Sequence, residues 1–239
     1  MVIFECLPSE NLLECRRANH VWGMLANNVI YNRIQEPLHA LELKSASLQA
    51  SFKTLQVAKA PQLTHYSDFL SQAVSSDIAE MTWFNAPPPE IRTVCECLVR
   101  LRDPNLNDQT PLSWQFLKRA MSKYEFKVWY ANLQTNVSAI SIDSTTFVEN
   151  IIRTDPSITY ERLREVSLTG YRMLIQVAAA LQYSNINFEI SSKKFEMEAV
   201  ERIRFKTRRF VNCLNKRKRG ARKIAPAAKP PYAEPPRHL

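Results

Sequence analysis

Ala86-Pro87-Pro88-Pro89-Glu90-Ile91-Arg92-Thr93-Val94-Cys95-Glu96-Cys97-Leu98 decides how the chain is read. Three successive prolines end any helix that reaches them, because each lacks an N–H donor and disfavours α geometry in the residue before it. Pro89 nevertheless fits the first turn of a new helix, where no donor is needed. Behind it Ile91, Val94, Cys95, Leu98 and Leu101 recur at three- and four-residue steps, which makes one apolar helical face. The stretch therefore reads as helix, sharp break, helix.

The same period continues in both directions. Ser9 is placed to cap a first helix through Leu12, Leu13, Ala18, Val21, Leu25 and Val29, with Pro37 as its punctuation. Leu38, Leu41, Ser45, Leu48, Phe52 and Leu55 form a heptad seam with one polar position, closed at Pro61. A helix from about His65 to Phe84 leads into the prolines. Downstream, shorter helices are expected at Leu112–Ser122, Glu125–Leu133 and Ser144–Arg153, with a short extended piece at Val137–Ile142. Asp155-Pro156 marks another break. Thr159 then precedes a long helix through Leu163, Val166, Gly170, Leu174, Val177 and Leu181, and a last amphipathic helix runs from about Ser191 to Leu214. The fold class is all-α: a small helical bundle head flanked by longer helices, with a coiled-coil stub. The expected divisions are 1–60 (N-terminal helical region), 61–190 (head), 191–223 (basic amphipathic helix) and 224–239 (Pro-rich tail).

Composition excludes several chemistries. The chain has 239 residues with 45% hydrophobic and 10% aromatic content, enough for a packed core. Only Gly23, Gly170 and Gly220 occur, so neither a Walker-type phosphate loop nor a Gly-x-Gly-x-x-Gly dinucleotide turn is present. The five cysteines are scattered and odd in number, and Cys95-x-Cys97 has no matching pair, so no zinc site and free thiols are expected. His20, His39, His65 and His238 show no ligand spacing. No Ser-His-Asp or Gly-x-Ser-x-Gly arrangement appears, so no catalytic residue, metal or cofactor is assigned. No apolar run is long enough to span a membrane. Trp22, Trp83, Trp114 and Trp129 read as packing anchors, Cys95 as buried, and Phe205 and Phe210 as core-facing.

Charge is uneven. The net +9 arises because residues 193–239 hold 15 basic and 4 acidic residues, whereas 1–192 are close to balance. Arg208, Arg209, Lys216, Arg217, Lys218, Arg219, Arg222 and Lys223 make a basic tail suited to an acidic polymer or protein surface.

One ordered set of signals goes further. Asp77-Ile78-Ala79-Glu80 precedes the prolines and their Val- and Cys-bearing helix. Trp114 to Met121 follows as a Trp-led segment containing Lys118-Arg119. Asp155-Pro156, Glu161-Arg162-Leu163-Arg164-Glu165-Val166-Ser167, Ala178-Ala179 and Tyr183 come next. This series, over about Ser75 to Phe188, resembles the tip of the dynein heavy-chain stalk. There a coiled-coil helix ends at prolines, a small helical head binds the microtubule, and a second long helix returns. The resemblance implies a tubulin-facing surface carrying Glu90, Arg92, Glu161, Arg162 and Arg164. It implies tubulin or the microtubule lattice as partner, with other axonemal proteins besides. The implied setting is the cytoplasm and cytoskeleton, in the axoneme of a cilium or flagellum. Because Pro37 and Pro61 interrupt the flanking helices, only a stub of stalk and a fixed head are expected. The chain reads as a non-catalytic structural protein without a small-molecule substrate. Two other readings stand beside it: a nucleic-acid-binding or nuclear protein acting through the basic tail, and a helical adaptor using the Leu38–Leu55 seam.

Overall fold

The computed structural model describes Pro8, residues 10–12, Glu14, 20–107 and 110–224, with backbone alone at His20 and 217–224. Its α-helices are α1 (His20–Leu70), α2 (Ser75–Trp83), α3 (Pro89–Arg102), α4 (Trp114–Ser122), α5 (Tyr124–Ala131), α6 (Leu133–Asn136), α7 (Ile142–Thr154), α8 (Tyr160–Val166) and α9 (Leu168–Ile224). No strand occurs among the described residues, and the all-α expectation holds. Val137–Ile142, expected as extended, is instead a 3-10 turn at Val137–Ala139 followed by the start of α7.

The described residues form two compact units, one drawn from those up to 50 together with 196–224 and one from those within 51–195. In the first, α1 and α9 lie antiparallel. Ala26, Val29 and Ile30 pack with Leu214, while Ser45 and Gln49, further along α1, meet Glu201, earlier on α9. Ser45 is buried and donates its hydroxyl to Glu201 Oε1, and Gln49 Nε2 donates to the same oxygen at 3.0 Å. Leu38 and Leu48 are buried too. Three of the six seam residues are thus buried, Leu41, Phe52 and Leu55 are half-buried, and the one polar position has a partner within the chain.

In the second unit α2, α3, α4, α5 and α7 enclose a core of Ile78, Met81, Ile91, Leu98, Leu117, Phe126 and Val148, all essentially fully buried. Lys59 of α1 pairs with Glu189 of α9 at 3.1 Å. Gly170 brings α9 hard against α3, because a Cβ there would lie 2.3 Å from Ile91 Cδ1.

Several boundaries differ from expectation. α1 runs unbroken through Pro37 and Pro61 for 51 residues, so the flanking helices are neither short nor broken there. A proline in a helix interior costs about 3 kcal/mol. Ile30 and Leu38, on either side of Pro37, are buried, and packing of this kind offsets that cost. The helix expected from His65 to Phe84 instead stops at Leu70 and restarts at Ser75, with Asp77 in its first turn. The long helix expected from Thr159 is interrupted at Ser167, whose backbone is extended and whose Oγ caps α9 by accepting from Gly170 N at 3.1 Å. Trp83 and Trp22 are exposed, at 85% and 50%, so they are not packing anchors; Trp114 and Trp129 do pack on the core. Phe205 and Phe210 are exposed as well and do not face a core. Cys95 is buried as its helix face requires, and burial pushes its thiol up to about 12.

Candidate functional site

The proline run sets the geometry. Pro88 caps α3, Pro89 fills its first position, and Glu90 follows in the first turn, where a carboxylate meets unpaired N–H groups and the positive end of the helix dipole. Glu90 is buried. Its carboxyl is held below the ordinary carboxylate range, first by its own backbone N–H and then by the Arg162 guanidinium.

Arg162 arrives from a segment whose shape the sequence also dictates. Asp155 Oδ1 accepts from Ser157 N at 3.0 Å and from Ser157 Oγ at 2.6 Å, closing the turn at the Asp-Pro break. Thr159 Oγ1 then accepts from Arg162 N at 3.1 Å and caps α8. Arg162 Nε donates to Glu90 Oε1 at 3.0 Å across 72 residues of sequence. The pair is asymmetric: the Glu90 side chain is 6% exposed and that of Arg162 57% exposed. A buried acid thus fixes one edge of a guanidinium whose remainder faces solvent. Glu161 and Arg164 are exposed on the same short helix.

Arg92 sits elsewhere. Two residues along a helix turn about 200°, so Arg92 leaves α3 on the side away from Glu90. There it is half-buried, and its Nη2 donates to Leu112 O at 2.7 Å, anchoring the segment before α4. The structure joins Glu90 to Arg162 and leaves Arg92 apart from them. Glu96, a possible helix-face partner for Arg92, pairs with Arg100 at 2.8 Å instead.

Of the basic tail, Arg208, Arg209 and Lys216 are exposed and line an open groove together with Phe205 and Asn212. The side chains of Arg217, Lys218, Arg219, Arg222 and Lys223 lie outside the described residues, as does the Pro-rich stretch from 225 onward.

Sequence reading missed three buried polar clusters that frame the head. Arg100, 1% exposed, donates to the carbonyls of Leu106 and Thr110 and lies over the Phe147 ring at 4.9 Å. Asp77, 2% exposed, accepts from Arg172 Nη2 at 2.8 Å, and Thr169 Oγ1 donates to Glu80 Oε2 at 2.7 Å, tying α2 to α9. Desolvation raises the Asp77 carboxyl despite Arg172. Tyr130 hydroxyl donates to Gln176 Oε1 between α5 and α9. The one sequence signal for these was a polar residue at an otherwise apolar helix position, as at Gln176 between Leu174 and Val177.

With this geometry in view, likeness to known proteins becomes informative. The chain is 26% identical to dynein axonemal heavy chain 10 of Homo sapiens over 140 residues, 59% of its length. It is 27% identical to the dynein-1-alpha heavy chain of the flagellar inner arm I1 complex of Chlamydomonas reinhardtii over 140 residues, 55% of its length. The chain contains a region related to axonemal dynein heavy chains. It spans only 3% of the length of each of these relatives. No protein-family model matches it.

Proposed function

We propose that this protein is a non-catalytic microtubule-binding structural protein of the ciliary or flagellar axoneme, as a microtubule-associated or microtubule inner protein. Its head, residues 61–190, docks on tubulin through the surface carrying Arg162, Arg164 and Glu161. The reading is carried by the 140-residue relation to axonemal dynein heavy chains. The geometry supports it in one specific way. An exposed guanidinium held by a buried carboxylate is pre-oriented, so little rotamer freedom is lost when it meets an acidic partner. Arg92, bound to a backbone carbonyl, contributes to the shape of this surface more than to its charge. Tubulin and other axonemal proteins are the proposed partners.

A second reading rests on the exposed Arg208, Arg209 and Lys216: attraction of nucleic acid or another acidic polymer by the basic segment. The adaptor reading is weakened, because Leu38, Ser45 and Leu48 are buried within the chain and only Leu41, Phe52 and Leu55 stay half-buried.

Co-sedimentation of the full chain with stabilised microtubules over a salt series tests the proposal. Arg162→Glu/Arg164→Glu is expected to weaken pelleting about tenfold or more, whereas reversal of Lys216–Arg219 weakens it less and mainly flattens the salt dependence. If only the Lys216–Arg219 reversal matters and DNA or RNA competes, the basic segment is the binding site and the head reading falls.

A further inference from the structure

The second unit contains an open cleft of about 530 Å³ that the tubulin-docking proposal does not use. Half of its lining is aromatic: Tyr66 and Phe69 from α1, Tyr160 from α8 and Tyr171 from α9; Ile175, two alanines and Gln182 of α9 make up the rest. The rings of Tyr160 and Tyr171 stand nearly perpendicular, at 82° with centroids 6.2 Å apart. Tyr66, Phe69 and Tyr171 are half-buried against the core, while Tyr160 is 46% exposed at the rim. A smaller adjoining cleft shares Tyr160, Ala178 and Gln182 and adds both Glu149 and Arg153, so its charge is balanced.

The chemistry of these walls is selective. An aromatic face carries partial negative charge, and several rings around one volume favour a soft, weakly hydrated cation. Elsewhere the protein supplies such cations itself: Arg100 lies over Phe147 at 4.9 Å and Arg102 over Phe126 at 5.4 Å. Here, among the described residues, no Lys or Arg lines the cleft, although the His65 imidazole stands edge-on to Phe69 at 4.8 Å and beside Tyr66 at 5.6 Å. A primary ammonium would give up strong hydration on entering, whereas a methylated one gives up little and adds apolar contact.

We propose that this cleft is an aromatic cage for a methylated ammonium group, borne by a choline-like small molecule or by a methylated lysine side chain of a partner. The two sources share one headgroup. Gln182 at the opening offers an amide to whatever the headgroup is attached to.

The test uses the full chain labelled with fluorotyrosine and followed by fluorine NMR. Choline, a short trimethyllysine peptide, the same peptide with unmodified lysine, and the neutral carbon isostere of choline are each titrated. Saturable shifts at Tyr160 and Tyr171 are expected with choline and the trimethyllysine peptide. The neutral isostere and the unmodified peptide are expected to bind about tenfold more weakly or worse. Tyr171→Leu should abolish the response. Tyr160→Leu, at the exposed rim and so harmless to folding, should weaken it at least about tenfold. A peptide that binds tighter than choline identifies a protein source, and equal affinities identify a free small molecule. Equal binding of the neutral isostere, or no movement of the ring signals with any cation, overturns the proposal.

Discussion

Glu90 and Arg162 show how one residue pair turns local sequence into a surface. The carboxylate is lowered in the folded state, so its stabilising effect is present above its ordinary value of 4.5 and is lost as pH falls through the lower folded value. Glu90→Gln should therefore lose this acid-side dependence and cost about 1–2 kcal/mol at neutral pH, by loss of a charge-assisted hydrogen bond; chemical denaturation across pH 3 to 7 measures both. Asp77 has the opposite sign. Burial raises its carboxyl above 3.8, so folding favours the protonated form and stability declines as pH rises through the folded value. Asp77→Asn is expected to be near neutral at pH 7, whereas Arg172→Ala strands a buried carboxylate and costs about 3 kcal/mol. The double variant should resemble Asp77→Asn alone in thermal denaturation; additive losses would refute the coupling.

At the scale of elements, two features depend on close fit between helices. Gly170 lets α9 approach α3, and a methyl there would meet Ile91 Cδ1 at 2.3 Å in a fully buried setting. Gly170→Ala should destabilise by about 1–3 kcal/mol through overpacking, and Ile91→Val, which removes that Cδ1, should restore part of the loss. Failure of Ile91→Val to rescue would place the strain elsewhere. Pro37 and Pro61 lie inside α1, where each removes a backbone hydrogen bond. Pro37→Ala is expected to raise the midpoint of thermal unfolding, by the equivalent of about 1–3 kcal/mol, and an unchanged or lower midpoint would mean that the proline is better tolerated than a straight helix requires. The element boundaries legible in the sequence were those set by local chemistry: the start of α3 at Pro89 and the helix start that follows Thr159. The breaks after Leu70 and at Ser167 were not legible, because the apolar period continues across both.

For the whole molecule, charge and function separate. The head region is near balance, with 11 basic and 13 acidic residues between Asp77 and Ile190, while the positive charge lies beyond Lys193. Docking through the head is then expected to show shallow salt dependence and sharp sensitivity to Arg162→Glu/Arg164→Glu. Binding through the basic segment would show steep salt dependence and little sensitivity to those two residues. Microtubule pelleting between about 50 and 200 mM salt distinguishes the two slopes.

Sequence alone determined the all-α class, the helix–break–helix at Pro87–Pro89, the apolar face from Ile91 to Leu101 and the asymmetry of charge. Each of these follows from backbone restriction, helical period or composition, which act within a few residues. Tertiary structure decided which candidate arginine keeps most of its guanidinium in solvent and which is turned half inward. Arg92 and Arg162 look alike in sequence, yet one is bound to Leu112 O and the other stands on a buried Glu90 from 72 residues away. It also decided that α1 passes through Pro37 and Pro61 and that Trp83 is exposed. These outcomes depend on contacts between segments distant in the chain, and packing free energy of several kcal/mol overrides local preferences of about the same size or less.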